Sequence, residues 1–152
     1  MSILIAYYSR SGNTEKVAQL IQKKLNCDIE EVIEDKNHNG AGGYLKGAFE
    51  SVRNKGSSIK TVNKNPSDYD LIIIGSPVWA SGPASPMITY LEENKDKIKD
   101  IAIFATFKGS GQEKLFNKVE KITSLEAKAT LGLSEKELDD DEKISQFVSK
   151  LQ

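Results

Sequence analysis

Three hydroxyls fall within six residues near the start of the chain: Ser9, Ser11 and Thr14, with Gly12 and Asn13 between them. They follow an almost wholly apolar run from Ile3 to Tyr8 and lead into helical periodicity at about Thr14. An apolar run bounded by a turn signal fits a strand buried on both faces, as in the middle of a parallel sheet. A hydroxyl-rich turn feeding a helix N-terminus is where backbone N–H groups and the helix dipole together receive a phosphate. Hydrogen bonds to a charged group contribute about 1.5–3 kcal/mol each. Several converging on one phosphate, with the N–H groups of Gly12 and Asn13 among them, hold it without a fixed cation. A Ser/Asn-rich turn that only caps a helix has the same composition, and this stretch alone does not separate the two.

The spacing excludes the commoner phosphate loops. A nucleoside-triphosphatase loop needs Gly, four residues, then Gly-Lys-Ser/Thr, and no lysine follows Gly12 in that way. A dinucleotide fingerprint needs three glycines in its turn, and only Gly12 is present. Arg10 reads as solvated, because a loop of this kind can turn its amides inward and its side chains out.

Two further segments carry unusual residues. After the apolar run DLIIIG comes Ser76 to Pro86, with Trp79 in its most turn-like part. An indole offers a flat face to another ring, and such pairs add about 0.5–1.5 kcal/mol beyond buried area. The alternative is a tryptophan folded back over the sheet edge as a local plug. After IAIFAT comes Phe107 to Lys114, where Gly109 and Gly111 allow close backbone approach and Phe107 offers a second aromatic surface. An ordinary glycine turn before a helix would look much the same. A phosphate at the first loop and flat-ring surfaces at the other two describe a mononucleotide with a planar aromatic end.

The elements that must position these loops alternate along the chain. Val17, Leu20, Ile21 and Leu25 recur at helical spacing after the first strand, and Cys27 to Ile33 reads as a short second strand. Lys36 to Gly43 is a glycine-rich loop, Tyr44 to Val52 a second helix, and Asn54 to Asp68 a polar connection. Asp70 to Gly75 is the strongest strand, and a third helix opens at Pro83 or Pro86 with Met87, Ile88, Tyr90 and Leu91 inward. Ile101 to Thr106 and Lys128 to Leu133 are strands; Leu115, Phe116, Val119 and Ile122 line the helix between them. Ile144, Phe147, Val148 and Leu151 define the last helix, which a Ser134-x-x-Glu137 capping box is expected to start. Five strands alternating with five helices imply an α/β doubly wound parallel sheet covered on both sides. In such a sheet ligands bind beyond the carboxyl ends of the strands, where strand order reverses.

The length of 152 residues suits one domain, residues 1–152. A net charge of −1 gives no broad basic footprint for nucleic acid. One cysteine, Cys27, and one histidine, His38, leave no disulfide framework and an improbable metal-ligand set. His38 reads as a surface residue and Cys27 as structural. The chain shows no targeting signal and no run of membrane-spanning length, so a soluble cytoplasmic protein is expected, with no membrane partner.

The sequence resembles the flavodoxin family. The resemblance rests on YYSRSGNTEKVA, YDLIIIGSPVWASGPASP and FATFKGSG, with Ser11 where threonine is usual in the first of these motifs. It implies a five-stranded sheet of order 2-1-3-4-5. It implies that Ser9, Arg10, Ser11, Gly12, Asn13 and Thr14 wrap the phosphate of FMN. Ser76, Pro77, Val78, Trp79, Ala80, Ser81 and Gly82 would follow the isoalloxazine ring, and Thr106, Phe107, Lys108, Gly109, Ser110 and Gly111 would close its other side.

Three departures from the family pattern stand out. The third loop lacks the aspartate-rich, tyrosine-bearing pattern, leaving Phe107 as the expected outer stacking ring. The chain is nearly neutral where many members are acidic. Ala80-Ser81 stands where many members carry glycine in a turn that moves a carbonyl towards flavin N5 on one-electron reduction. Alanine and serine adopt φ > 0 only at a cost, so the one-electron-reduced state is expected to be less stabilised than in a glycine-bearing relative.

The site residues include no nucleophile–base pair and no carboxylate dyad, so no catalytic residue is assigned and the cofactor carries the chemistry. The resulting expectation is a low-potential electron carrier for redox partner proteins, monomeric or weakly dimeric. The alternative is an NAD(P)H- or quinone-dependent FMN reductase, with Lys36 to Gly43 and the polar stretch after Arg53 shaping a substrate pocket. A receiver-type signalling module is rejected, since Tyr8-Ser9 and Ser76-Pro77 stand where its acidic residues would be needed.

Overall fold

The computed structural model of the chain describes residues 1–36 and 57–152. The expected helix Tyr44–Val52, His38, Arg53 and nearly all of the Lys36–Gly43 loop lie outside the described residues. Strand β1 (Ile3–Tyr7) leads to helix α1 (Asn13–Leu25) and strand β2 (Asp28–Glu31). Strand β3 (Leu71–Trp79) turns back into the two-residue β4 (Gly82–Pro83), followed by α2 (Ser85–Asn94). Strand β5 (Ile101–Phe107), α3 (Gln112–Thr123), β6 (Thr130–Ser134) and α4 (Asp141–Ser149) complete the alternation. The sheet order is β2-β1-β3-β5-β6, every one of these pairings parallel, with β4 antiparallel on β3. Counting the parallel strands alone, this is the expected 2-1-3-4-5.

Alternation along β1 shows why its apolar run is unbroken. Leu4, Ala6 and Tyr8 enter one core layer with Met87, Tyr90 and Leu91 of α2 and Leu115, Phe116 and Val119 of α3. Ile5 and Tyr7 enter the other with Val17, Ala18 and Ile21 of α1 and Ile144, Phe147 and Val148 of α4. Each fully buried Leu, Ile or Phe side chain contributes about 1.5–3 kcal/mol, so both layers favour the doubly wound arrangement. Cys27 packs partly buried at the edge of the second layer, and burial pushes its thiol up to about 11, which suits a structural residue.

Several boundaries differ from expectation for local reasons. β3 continues through Pro77 to Trp79, so half of the segment expected to be a loop is strand and hairpin. Pro83 lies in β4, and Pro86 in the first turn of α2, where its missing N–H costs nothing. The Ser134-x-x-Glu137 motif folds as a separate turn: the Ser134 N–H donates to Glu137 Oε1 and the Glu137 N–H to the Ser134 carbonyl. The last helix is instead capped by Asp140, whose Oδ1 accepts from the Lys143 N–H at 3.1 Å. Among the described residues, no helix is long and apolar enough to cross a membrane, and no group of acidic, cysteine or histidine residues is placed to hold a metal ion.

Candidate functional site

Strand order reverses between β1 and β3, and the segments after β1, β3 and β5 meet beyond this point. In the first, Gly12 is the N-cap of α1 at φ 98°, with nothing within 4 Å of where a Cβ would stand. Ser9 Oγ accepts from the N–H groups of Gly12 and Glu15, both at 3.1 Å. The capping reading therefore holds for Ser9, and the Gly12 N–H, expected to point at a phosphate, is instead taken by the Ser9 hydroxyl. The Asn13 and Thr14 amides, in the first turn of α1, have no intrahelical acceptor and none elsewhere among the described residues.

Thr14 is almost fully buried, and its Oγ1 lies 2.8 Å from Oγ1 of the equally buried Thr106 at the end of β5. One hydroxyl hydrogen bridges the pair, which leaves the other for a further acceptor. Thr14→Val strands the Thr106 hydroxyl and is expected to lower stability by about 1–3 kcal/mol, whereas Thr14→Val/Thr106→Val removes both and restores most of it. Urea unfolding of the two singles and the double closes the cycle; additive losses would contradict the pairing.

In the second segment, Ser76 is fully buried, donates to the Pro77 carbonyl and accepts the Ala84 N–H at 2.9 Å. It braces the hairpin from behind rather than facing the open edge. The turn residues Ala80 and Ser81 both adopt positive φ, 48° and 65°. Two-residue hairpins of this hand favour Asn-Gly because other residues are strained there. The expected reluctance of alanine and serine is thus overridden by the hairpin, and the cost is already present in the fold. Ala80→Gly is expected to raise apoprotein stability by about 0.5–1 kcal/mol in urea titrations; a loss would contradict the strain.

Trp79 is half-buried at the end of β3. Tyr8 meets its ring edge-on at a centroid distance of 5.4 Å and 84°, and the Arg10 guanidinium lies 5.6 Å from the ring centroid. In the third segment, Gly111 is at φ 107°, and a Cβ there would come within 2.8 Å of Val78 Cγ1 and 3.4 Å of Ser81 Cα. Phe107 is half-buried with its ring edge over Gly132 beside Gln112: a Cβ on Gly132 would be 3.2 Å from Phe107 Cε1. Lys108, Gly109 and Ser110 are exposed at the tip.

The three segments are therefore joined pairwise: first to third by Thr14 and Thr106, first to second by Arg10 and Trp79, second to third by Gly111 against Val78 and Ser81. The β2 flank of this edge is acidic. Burial and then the Glu15 charge raise the Glu31 carboxyl, while burial followed by Glu31 and Glu15 raises the Tyr7 phenol.

A family profile described as Flavodoxin matches residues 2–147. This chain belongs to the flavodoxin family. Among solved structures, this flavodoxin is similar to a flavoprotein from Lactobacillus acidophilus NCFM in complex with FMN, at 27% identity and TM-score 0.68 over 93% of this chain and 97% of that one. It shares its fold with oxidised flavodoxin 2 from Bacillus cereus, at 23% identity and TM-score 0.59 over 99% and 97% of the two chains. It does so too with two-electron reduced flavodoxin from Megasphaera elsdenii, at 18% identity and TM-score 0.60 over 97% and 96%. No match was found among curated protein sequences.

Residues 9–14, 76–82 and 106–111 of the flavodoxin all lie on or directly behind one edge, with Ser76, Thr14 and Thr106 as its buried supports. The contact of Tyr8 with Trp79 was not expected from the sequence. The approach of Tyr8 and Arg10 to Trp79 at the end of β3 has no local signal. Only the fold brings residues 71 positions apart into contact.

Proposed function

We propose that this flavodoxin is an electron carrier holding FMN, with the phosphate on residues 9–14 and the ring between the 76–82 hairpin and the 106–111 loop. The observation that carries the reading is the pairwise joining of three loops from three strands into one edge. The residues fit the cofactor: the first-turn amides of Asn13 and Thr14 lack a protein acceptor, a nearly buried hydroxyl pair keeps one hydrogen to donate, and nothing stands within 4 Å of where a Gly12 Cβ would be, although the Gly12 N–H itself is taken by Ser9 Oγ. The FMN complex of the similar Lactobacillus acidophilus flavoprotein supports the same choice of ligand.

When bound, the flavin supplies reversible electron uptake and release. The chain's own residues bind and orient it. Residues 9–14, 76–82 and 106–111 contain no histidine, cysteine or carboxylate, and their lysine, Lys108, is exposed at the loop tip, so the roles assigned to them are position, hydrogen bonding and exclusion of water. Redox partner proteins in the cytoplasm complete the proposed role. The test is steady-state NADPH oxidation by the FMN-loaded protein without a partner. A carrier shows no turnover above free FMN; sustained turnover would make the protein a flavin reductase instead.

A further inference from the structure

Arg10 occupies the middle of the proposed phosphate loop, yet its side chain turns to the neighbouring hairpin. Its guanidinium lies over Trp79, 5.6 Å from the ring centroid, while Tyr8 closes on the same ring edge-on. Arg10 is itself exposed, Tyr8 is 9% exposed, and Trp79 is half-buried at the end of β3. The exposed Arg10 guanidinium therefore lies over the half-buried indole. The amides without an acceptor belong to Asn13 and Thr14, further along, so the phosphate cradle is furnished without the guanidinium.

We infer that Arg10 is a positioning residue for Trp79 and not the counter-cation of the phosphate. A planar guanidinium stacks on an aromatic face, whereas an ammonium is a compact point charge that does so less well. Trp79 is held between Arg10 and Tyr8, the residue just after β1, whose N–H donates to the Gly75 carbonyl at 3.1 Å, and its ring is presented at one angle to whatever lies at the edge. Such a role weakens the grip on the flavin ring when Arg10 is lost and leaves the grip on the phosphate alone. This rests on the proposed FMN site, but its first readout needs no flavin.

Trp79 is the sole tryptophan of the chain, so the emission of the apoprotein reports this ring directly. Arg10→Met and Arg10→Lys are both expected to shift the emission to the red and lower its anisotropy, and lysine does not rescue. In the second readout, riboflavin and FMN are titrated into each variant. Both affinities are expected to fall together, by about two- to fivefold, so that their ratio stays that of the parent protein. Unchanged emission in both variants would overturn the inference. So would rescue by lysine with a selective loss of FMN over riboflavin, which marks a phosphate counter-cation. A parent protein that binds neither flavin would sink the functional proposal and leave the emission data to decide the role of Arg10.

Discussion

Replacing Ser11 with aspartate is expected to weaken FMN binding by at least about 100-fold while leaving the apoprotein as stable as before, or slightly more so. Ser11 is exposed, directly precedes the N-cap of α1 and makes no side-chain hydrogen bond among the described residues. A carboxylate there is well placed in the apoprotein, since negative charge near a helix N-terminus stabilises by about 0.3–1 kcal/mol. Against a bound phosphate the same charge is repulsive. Two unit charges about 5 Å apart at an effective dielectric constant near 20 interact by roughly 3 kcal/mol, about two decades in affinity. The opposite signs make the result specific: a merely damaging substitution would lower both quantities. Flavin fluorescence titration and urea unfolding of the variant measure them separately. An FMN affinity within about threefold of the parent protein would remove the phosphate from residues 9–14.

The second large effect lies in the core behind the site. Gly75 of β3 stands opposite Phe104 of β5 in the parallel register, and a Cβ on Gly75 would lie 2.1 Å from Phe104 Cζ and 2.5 Å from Cε1. Phe104 is fully buried, and both strands are central in the sheet, so neither ring nor backbone has room to yield. Gly75→Ala is expected to cost about 3 kcal/mol or more, at the upper end of overpacking changes. Adding Phe104→Leu, which shortens the ring side of the contact, is expected to recover part of that loss. A Gly75→Ala protein within about 1 kcal/mol of the parent in urea unfolding would show that the strands separate more easily than this geometry allows.

These two positions mark what was readable in the sequence. The parallel sheet was legible because Ile3–Tyr8, Leu71–Ile74 and Ile101–Ala105 are buried on both faces and so lack alternation, while α1, α3 and α4 carry clear apolar stripes. The site loops were legible from position, as they follow the strands on either side of the reversal in order. The hairpin at the end of β3 was not. Pro77 argues against a strand, and Ala80-Ser81 lacks the Asn-Gly signature of a tight hairpin. Pairing with β5 and the Ser76 brace overrode both preferences. Thr14 and Thr106 read as separate polar residues, because a hydroxyl pair 92 positions apart leaves no periodic trace. Ser134 and Glu137 satisfied a local capping pattern, but the turn they close ends before the apolar phase of Ile144 and Phe147 begins. Asp140 sits at the right offset and takes the cap.

The most direct test of the account compares FMN with riboflavin, which differs only in lacking the phosphate, by absorbance and fluorescence titration of the apoprotein. With two or more charge-assisted hydrogen bonds of about 1.5–3 kcal/mol each on the phosphate, FMN is predicted to bind at least about 100-fold more tightly and to give a yellow protein that survives dialysis. Equal affinity for the two flavins, or a protein that stays colourless with FMN, would contradict the claim that the β1–α1 turn grips a flavin phosphate.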